Sequence, residues 1–165
     1  MLLPMVASDG EILILGLGNI LLSDEAVGVR IVENLQNHPD ATHHNLKLMD
    51  GGTMGLTLLV DMEDADAMII LDAGQLGAEP GCIQVFEGEE MDYFLRNRGR
   101  NPHDIGLDDL MDGLRLRQAV PDNRALVCVQ PKTIAVGEHL SPEVAVMVPK
   151  ATKVVFEILN RWKEN

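Results

Sequence analysis

The stretch Ile12-Leu13-Ile14-Leu15-Gly16-Leu17-Gly18-Asn19 decides the fold class of this chain. Its first four residues form a continuous apolar run, which is typical of a strand buried on both faces of a parallel sheet. The glycines and the asparagine that follow are typical of a turn. Beyond the turn, apolar residues at helical spacing between Val27 and Leu35 predict an amphipathic helix that ends near Asn37. A strand, a loop and a helix in this order are the opening unit of an α/β fold.

Further apolar runs along the chain predict the other strands of the same sheet. Residues 46–49, 68–71 and 126–129 are predicted as strands, and Thr53 is a plausible N-cap for a helix after the first of them. Residues 83–86 follow a turn around Pro80-Gly81 that is too short for a helical crossover. We therefore expect that strand to pair antiparallel at an edge of the sheet.

The second half of the chain contains the remaining helices. Two helical stretches are predicted between Gly88 and Gln118, separated by a polar loop at 96–102. A long helix with Ser141 as N-cap should close the chain, with a bend at Pro149. Because we find no repeat and no linker, we predict a single domain over residues 1–165. Its expected fold is a three-layer α/β sandwich, with a mostly parallel, five-stranded twisted sheet, one antiparallel edge strand, and helices on both faces.

Composition and charge exclude several partners. The chain has 26 acidic and 13 basic residues, and its net charge of -13 would repel nucleic acid and anionic lipid. We see no signal sequence and no apolar stretch of the roughly 18 residues that a membrane span needs, so we expect a soluble cytoplasmic protein. Cys82 and Cys128 each lie in an apolar run, and we interpret both as reduced core residues.

Acidic side chains stand at the ends of the first three predicted strands, where ligands bind in open α/β sheets. Glu25 lies just past the first strand, while Asp50 and Asp72 close the second and third. His103 lies in the long polar loop, which could fold over the same edge of the sheet. Carboxylates and an imidazole together suit nickel, zinc or a similar divalent ion.

Each of these residues also has a purely structural interpretation. Asp24 and Glu25 could complement the dipole of the helix that follows, and Asp50 could be an Asx-turn residue. His103, taken alone, is more often a solvated histidine than a ligand. Asp72 is harder to explain in this way, because an acid directly after a buried strand is costly without a partner. We interpret the other histidines as solvated, namely His38, His43, His44 and His139.

Other catalytic classes fit the sequence poorly. The three serines, Ser8, Ser23 and Ser141, do not lie in the Gly-x-Ser-x-Gly motif of serine hydrolases. The Gly16-Leu17-Gly18 turn is followed by Asp24 and Glu25, whose charge would repel the pyrophosphate of a dinucleotide. A Walker loop is absent. These observations leave a site of carboxylates and histidine as the best candidate.

Five ordered motifs in this chain resemble those of the nickel-iron hydrogenase maturation proteases. The longest runs from Gly16 to Arg30, and the resemblance as a whole covers nearly the entire chain. Cys82 and Gly74 depart from residues seen in some relatives, which leaves the specificity for one client hydrogenase open. The other four motifs are Asp50-Gly51-Gly52-Thr53, Ile70-Leu71-Asp72-Ala73, Pro80-Gly81 and Pro102-His103-Asp104-Ile105-Gly106-Leu107.

The resemblance implies an activity and a set of site residues. Family members are endopeptidases, often classed as aspartic-type, that cut a C-terminal extension from the precursor of the [NiFe] hydrogenase large subunit. By motif, the ligands for Ni²⁺ are Glu25, Asp72 and His103, and the precursor brings the nickel with it. Asp50 would take part in hydrolysis, and Gly51 and Gly52 would bind the substrate. We expect the protein to act as a monomer.

Two other functions stay open at this point. The first is a metal-dependent hydrolase of the same fold that acts on a different protein. The second is an assembly chaperone without protease activity, which would use the same ligands to hold a nickel-loaded client.

Overall fold

The structure is a computed structural model that describes residues 10–52, 55–99 and 106–165. Thr53 and His103 therefore lie outside the described residues. The elements found in the described part are five strands, β1 (Ile12–Leu17), β2 (Leu46–Gly52), β3 (Ala67–Ala73), β4 (Ile83–Glu87) and β5 (Arg124–Val129), and six α-helices, α1 (Val27–Gln36), α2 (Leu58–Glu63), α3 (Glu89–Asn97), α4 (Leu107–Leu116), α5 (Pro142–Ala145) and α6 (Val148–Glu164).

All five strands join one mixed sheet in the order β2-β1-β3-β5-β4. The pairs β1 with β2, β1 with β3 and β3 with β5 are parallel, whereas β4 pairs antiparallel with β5 at the edge. The predicted sheet is therefore confirmed, including its antiparallel edge strand. The short turn before β4 leaves no room for the crossover that a parallel strand would need.

Alternation of side chains along each strand gives the sheet two apolar faces. In β1, Ile14 packs into one core, while Leu13 and Leu15 pack into the other. A strand covered on both faces reads as one continuous apolar run, which is the pattern seen at residues 12–15.

Helices cover both faces and complete the predicted three layers. The core that contains Ile14 is closed by α1 and α6, which contribute Ile31 and Val155 among others. The core that contains Leu13 is closed by α2, α3 and α4, and it includes Met62 and Met111. Both methionines are fully buried.

The C-terminal helix differs from the prediction. Two helices, α5 and α6, stand where one long helix bent at Pro149 was expected. Pro149 lies in the first turn of α6, where a missing backbone N–H costs nothing because the first turn has no intrahelical acceptor for it. Ser141 is the N-cap residue of α5, but its hydroxyl makes no cap hydrogen bond and donates to Asp24 instead.

The two cysteines have different environments. Cys128 in β5 is fully buried, as predicted, and burial raises the pKa of its thiol to about 12. The prediction of a core position is wrong for Cys82, which is exposed. It belongs to the turn before the edge strand β4, where its N–H donates to the carbonyl of Glu79 and its side chain reaches solvent.

Candidate active site

A cavity of about 810 Å³ opens at the carboxyl ends of the central strands, and Glu25 and Asp72 both line it. The order β2-β1-β3 places β1 between the two strands that follow it in sequence. The helices after β1 and β2 pack on opposite faces of the sheet. Such a reversal of direction leaves a crevice at the strand ends, which is where ligands bind in this class of fold.

Two glycines allow the turn that contains Glu25 to pack closely against the sheet. Glu25 lies in a 3₁₀ turn, Ser23–Ala26, that leads directly into α1. Gly18 has φ of +119°, and a Cβ atom there would lie 1.8 Å from the carbonyl oxygen of Glu25. A Cβ atom on Gly28 would lie 2.1 Å from the carbonyl oxygen of Leu71. The glycines of the first motif therefore allow the turn and the start of α1 to approach β1 and β3 closely.

Asp72 lies at the end of β3 and is paired with Arg98. The distance between Nη1 of Arg98 and Oδ2 of Asp72 is 3.7 Å, and the Asp72 side chain is 15% exposed. Burial raises the pKa of Asp72 to about 6, against the opposing effects of Arg98 and the backbone N–H of Ala73. Sequence reasoning expected an acid here to need a partner, and Arg98 is that partner.

Two candidate carboxylates, Glu25 and Asp72, share the cavity and repel each other. The charge of Glu25 contributes to the raised pKa of Asp72, so the two groups are close enough to interact. A divalent ion between them would relieve this repulsion, and carboxylate oxygens are suitable ligands for it. Asp108 and Asp109 also line the cavity and add further acidic groups.

The third candidate ligand, His103, lies outside the described residues. Within residues 10–52, 55–99 and 106–165, no group of three or more His, Cys, Asp or Glu side chains could hold a metal ion. The described residues that flank the segment containing His103 are Gly99 and Gly106, and both line the cavity.

Asp50, Gly51 and Gly52 end β2, on the other side of β1. Asp50 is exposed and pairs with Gly16, and it is not among the residues that line the cavity. Since β2 and β3 flank β1, the backbones of Asp50 and Asp72 are separated by about two strand spacings, roughly 10 Å. Gly51 is buried, and Gly52 pairs with Leu17 across an irregularity in the strand register.

Asp24 is a structural residue whose role the sequence did not reveal. Its buried carboxylate accepts four hydrogen bonds, from the backbone N–H groups of Lys132, Thr133 and Ser141 and from the Ser141 hydroxyl. Burial alone would raise its pKa, but the hydrogen bonds lower the pKa below its ordinary value. The sequence interpretation, a carboxylate that complements a helix dipole, missed these bonds because their partners are 108 to 117 residues away.

Gln130 is a second residue that sequence reasoning missed. It follows β5 and is 6% exposed. Its side-chain amide donates to Gln75, and its side-chain carbonyl accepts a hydrogen bond of 2.6 Å from the N–H of Leu76. These bonds fix the loop after Asp72. The signal that drew attention to Asp72, a polar residue directly after a buried strand, was also present here.

Comparison with known proteins identifies the family. The sequence profile of the hydrogenase maturation proteases (HycI) matches residues 29–158. The chain belongs to the hydrogenase maturation protease family. It is 39% identical over 154 residues to the hydrogenase 2 maturation protease of Escherichia coli, an alignment that spans 90% of each chain. It is 32% identical to the hydrogenase expression/formation protein HupD of Bradyrhizobium diazoefficiens, over 97% of this chain and 83% of the relative.

The fold of a solved family member agrees with these matches. The structure of the hydrogenase maturating endopeptidase HybD from E. coli superimposes with a TM-score of 0.81 at 37% identity, over 92% of this chain and 93% of HybD. Membership in this family makes the chain an endopeptidase and favours protease activity over the role of an assembly chaperone. Of the helices described here, none has the length and apolar character required to cross a membrane.

Proposed function

We propose that this chain is a nickel-gated endopeptidase that removes the C-terminal extension of the precursor of the [NiFe] hydrogenase large subunit. The observation that carries this proposal is the convergence of Glu25 and Asp72 on one cavity at the carboxyl edge of the sheet. We also propose that the protein acts as a monomer in the cytoplasm.

In this proposal Glu25, Asp72 and His103 bind the nickel that the precursor brings into the cavity. Two carboxylates and one imidazole leave coordination positions for ligands from the precursor. The bound ion would polarise a peptide carbonyl or fix the position of the cut. A precursor without nickel would lack this link, so cleavage would report that metal insertion is complete.

Asp50 is the residue that we propose as the base that activates water. Its carboxylate is exposed at the end of β2, where water can reach it. Its backbone lies about two strand spacings, roughly 10 Å, from that of Asp72, at the same edge of the sheet. Gly51 and Gly52, next to Asp50, would bind the backbone of the substrate. We group the enzyme with aspartic-type peptidases because of its resemblance to the family, and Asp50 would be the aspartate that acts in hydrolysis.

Arg98 would have to leave Asp72 when nickel binds. Its guanidinium lies near Oδ2 of Asp72 and neutralises part of the acidic charge in the cavity. A cation that enters the cavity competes for the same carboxylate. Arg98 therefore stabilises the ionised form of Asp72 in the metal-free enzyme.

The test of the proposed function compares nickel-loaded and nickel-free precursor. Purified protein is incubated with each form, and mass spectrometry detects the loss of a C-terminal peptide. We expect cleavage of the loaded form alone, and we expect Glu25→Gln and Asp72→Asn to abolish it. Asp61→Asn is the matched control, because Asp61 forms a partly exposed ion pair with Lys47 instead.

Other outcomes would change the assignment. Equal cleavage of both precursor forms would remove nickel from the proposal. Tight binding of the loaded precursor without any cleavage would favour the assembly chaperone. An Asp50→Asn variant separates hydrolysis from metal binding, since it should lose cleavage while its affinity for Ni²⁺, measured by calorimetry, stays unchanged. A loss of affinity for Ni²⁺ would make Asp50 a ligand and not the base.

A further inference from the structure

Four aliphatic side chains lie exposed on two neighbouring loops beside the cavity. We name this surface the apolar rim. Apolar surface that is contiguous and exposed often marks a site of protein interaction. The exposed fractions are 45% for Ile20, 54% for Leu21, 50% for Ile134 and 89% for Val136.

Hydrogen bonds hold the two loops of the apolar rim together. The N–H of Ser23 donates to the carbonyl of Gly137, and the N–H of Gly137 donates to the carbonyl of Leu21, each at 2.9 Å. The Ser23 hydroxyl donates to the carbonyl of Ala135 at 2.7 Å. Ser23 has φ of +51°, which is uncommon for a residue with a side chain. The surface is thus fixed before any partner arrives.

The buried Asp24 carboxylate also links the same two loops. It follows the first loop in sequence and accepts hydrogen bonds from Lys132 and Thr133, which begin the second loop. It also accepts bonds from Ser141, beyond the end of that loop. The hydrogen bonds give both loops a defined structure. The exposure of their apolar side chains is therefore a feature of the fold.

The apolar rim connects two cavities. Ile134 lines the cavity that contains Glu25 and Asp72. On the other side of the rim lies a second cavity of about 570 Å³, mainly apolar, which Ile20, Leu21, Leu140 and Ala145 help to line. Arg30, Glu138 and His139 also line the second cavity, so a polypeptide that leaves the first cavity along the rim would meet apolar side chains first and charged ones at the far end.

We propose that the apolar rim is the docking surface for an extended, apolar stretch of the polypeptide substrate that adjoins the scissile bond. This inference rests on the proposed function. An endopeptidase must bind chain on at least one side of the bond it cuts, and the rim is continuous with the cavity in which the carboxylates converge. A lipid surface fits poorly, because the chain carries a net charge of -13.

The test places a charge on the apolar rim and compares it with the same change elsewhere. Val136→Asp is the test variant and Leu116→Asp, at the end of α4, is its control, since the two side chains are 89% and 88% exposed. Neither change removes core packing, so both variants should keep the thermal stability of the parent. For nickel-loaded precursor from the same organism, we expect Val136→Asp to raise KM about tenfold with kcat unchanged. Leu116→Asp should leave both constants unchanged.

The outcomes separate this inference from the proposed function. If the parent cleaves the precursor and Val136→Asp has the same KM, the docking surface is refuted while the protease function stands. If the parent binds the precursor without cleaving it, the function is wrong, and a weaker Kd for Val136→Asp would still support the surface. A change in oligomeric state on gel filtration, with KM unchanged, would assign the rim to a second copy of the chain.

Discussion

Replacing Asp24 by Asn removes one negative charge from the interior and changes little else in size. In the parent, Oδ1 accepts one hydrogen bond from the N–H of Ser141 at 2.7 Å. Oδ2 accepts three, from the N–H groups of Lys132 and Thr133 at 2.9 Å and from the Ser141 hydroxyl at 2.8 Å. An asparagine can keep one of these oxygens, and its NH₂ group must take the place of the other.

The expected loss of stability follows from this geometry. If the amide oxygen keeps the three bonds of Oδ2, the NH₂ group faces the N–H of Ser141, and that buried donor is left unsatisfied at a cost of about 1–3 kcal/mol. Each of the three remaining bonds loses its ionic character, which weakens it by about 0.5–1 kcal/mol. We therefore expect Asp24→Asn to lower the free energy of unfolding by about 4 kcal/mol, a large part of the stability of a typical domain.

Urea denaturation followed by circular dichroism measures this difference. Asp61→Asn is the control, because the ion pair of Asp61 with Lys47 is 2.7 Å long but joins side chains that are 29% and 38% exposed. It should cost less than about 1 kcal/mol. A loss below about 1 kcal/mol for Asp24→Asn as well would refute the reasoning, since the buried bonds would then contribute no more than a surface ion pair.

Three further predictions concern other parts of the molecule. Asp92 accepts two hydrogen bonds from Arg124. Burial alone would raise the pKa of Asp92, but Arg124 opposes this effect and the pKa is lowered overall. The stabilisation that ionised Asp92 gives to the fold should therefore be present above pH of about 4 and disappear as pH falls through the lowered pKa. The difference in unfolding free energy between the parent and Asp92→Asn should accordingly shrink in acid denaturation experiments, and a constant difference would contradict this. Gly28→Ala should destabilise the fold by about 2 kcal/mol in urea titrations, because the added Cβ would meet a backbone carbonyl of β3. This loss is expected in spite of the higher helix propensity of alanine. A gain in stability would exclude that contact. A thiol reagent should label Cys82 in the native protein while Cys128 reacts after unfolding, which peptide mass spectrometry can distinguish, and rapid native labelling of Cys128 would contradict its burial.

The central strands could be predicted because burial on both faces produces a run of consecutive apolar residues in the sequence. In β1, β3 and β5 successive buried residues alternate between the two cores, so each strand contains an uninterrupted apolar run. The antiparallel position of β4 followed from the length of the turn before it. The division of the C-terminal helix into α5 and α6 was not predicted. A proline in a helical pattern is compatible either with a bend or with the first turn of a new helix, and in the folded chain Pro149 lies in the first turn of α6.

The positions of Glu25 and Asp72 could be inferred from chain order. Both stand at the carboxyl ends of strands, and parallel strands bring those ends to one edge of the sheet. Chain order could not show that Asp50 lies on the far side of β1, because β2 and β3 look equivalent until the strand order is known. It also could not identify Arg98 as the partner of Asp72, since the approach of α3 to β3 is a tertiary contact.

The sequence by itself determined the fold class, the family and the strand ends at which the candidate ligands stand, because apolar periodicity and turn residues act over a few neighbouring positions. The four hydrogen bonds of Asp24, the hold of Gln130 on the loop after β3 and the apolar rim beside the cavity became visible in the folded chain alone. The contacts of Asp24 join residues more than a hundred positions apart. A buried carboxylate and a solvated one are the same letter in a sequence, and the surrounding donors that distinguish them are assembled by tertiary packing.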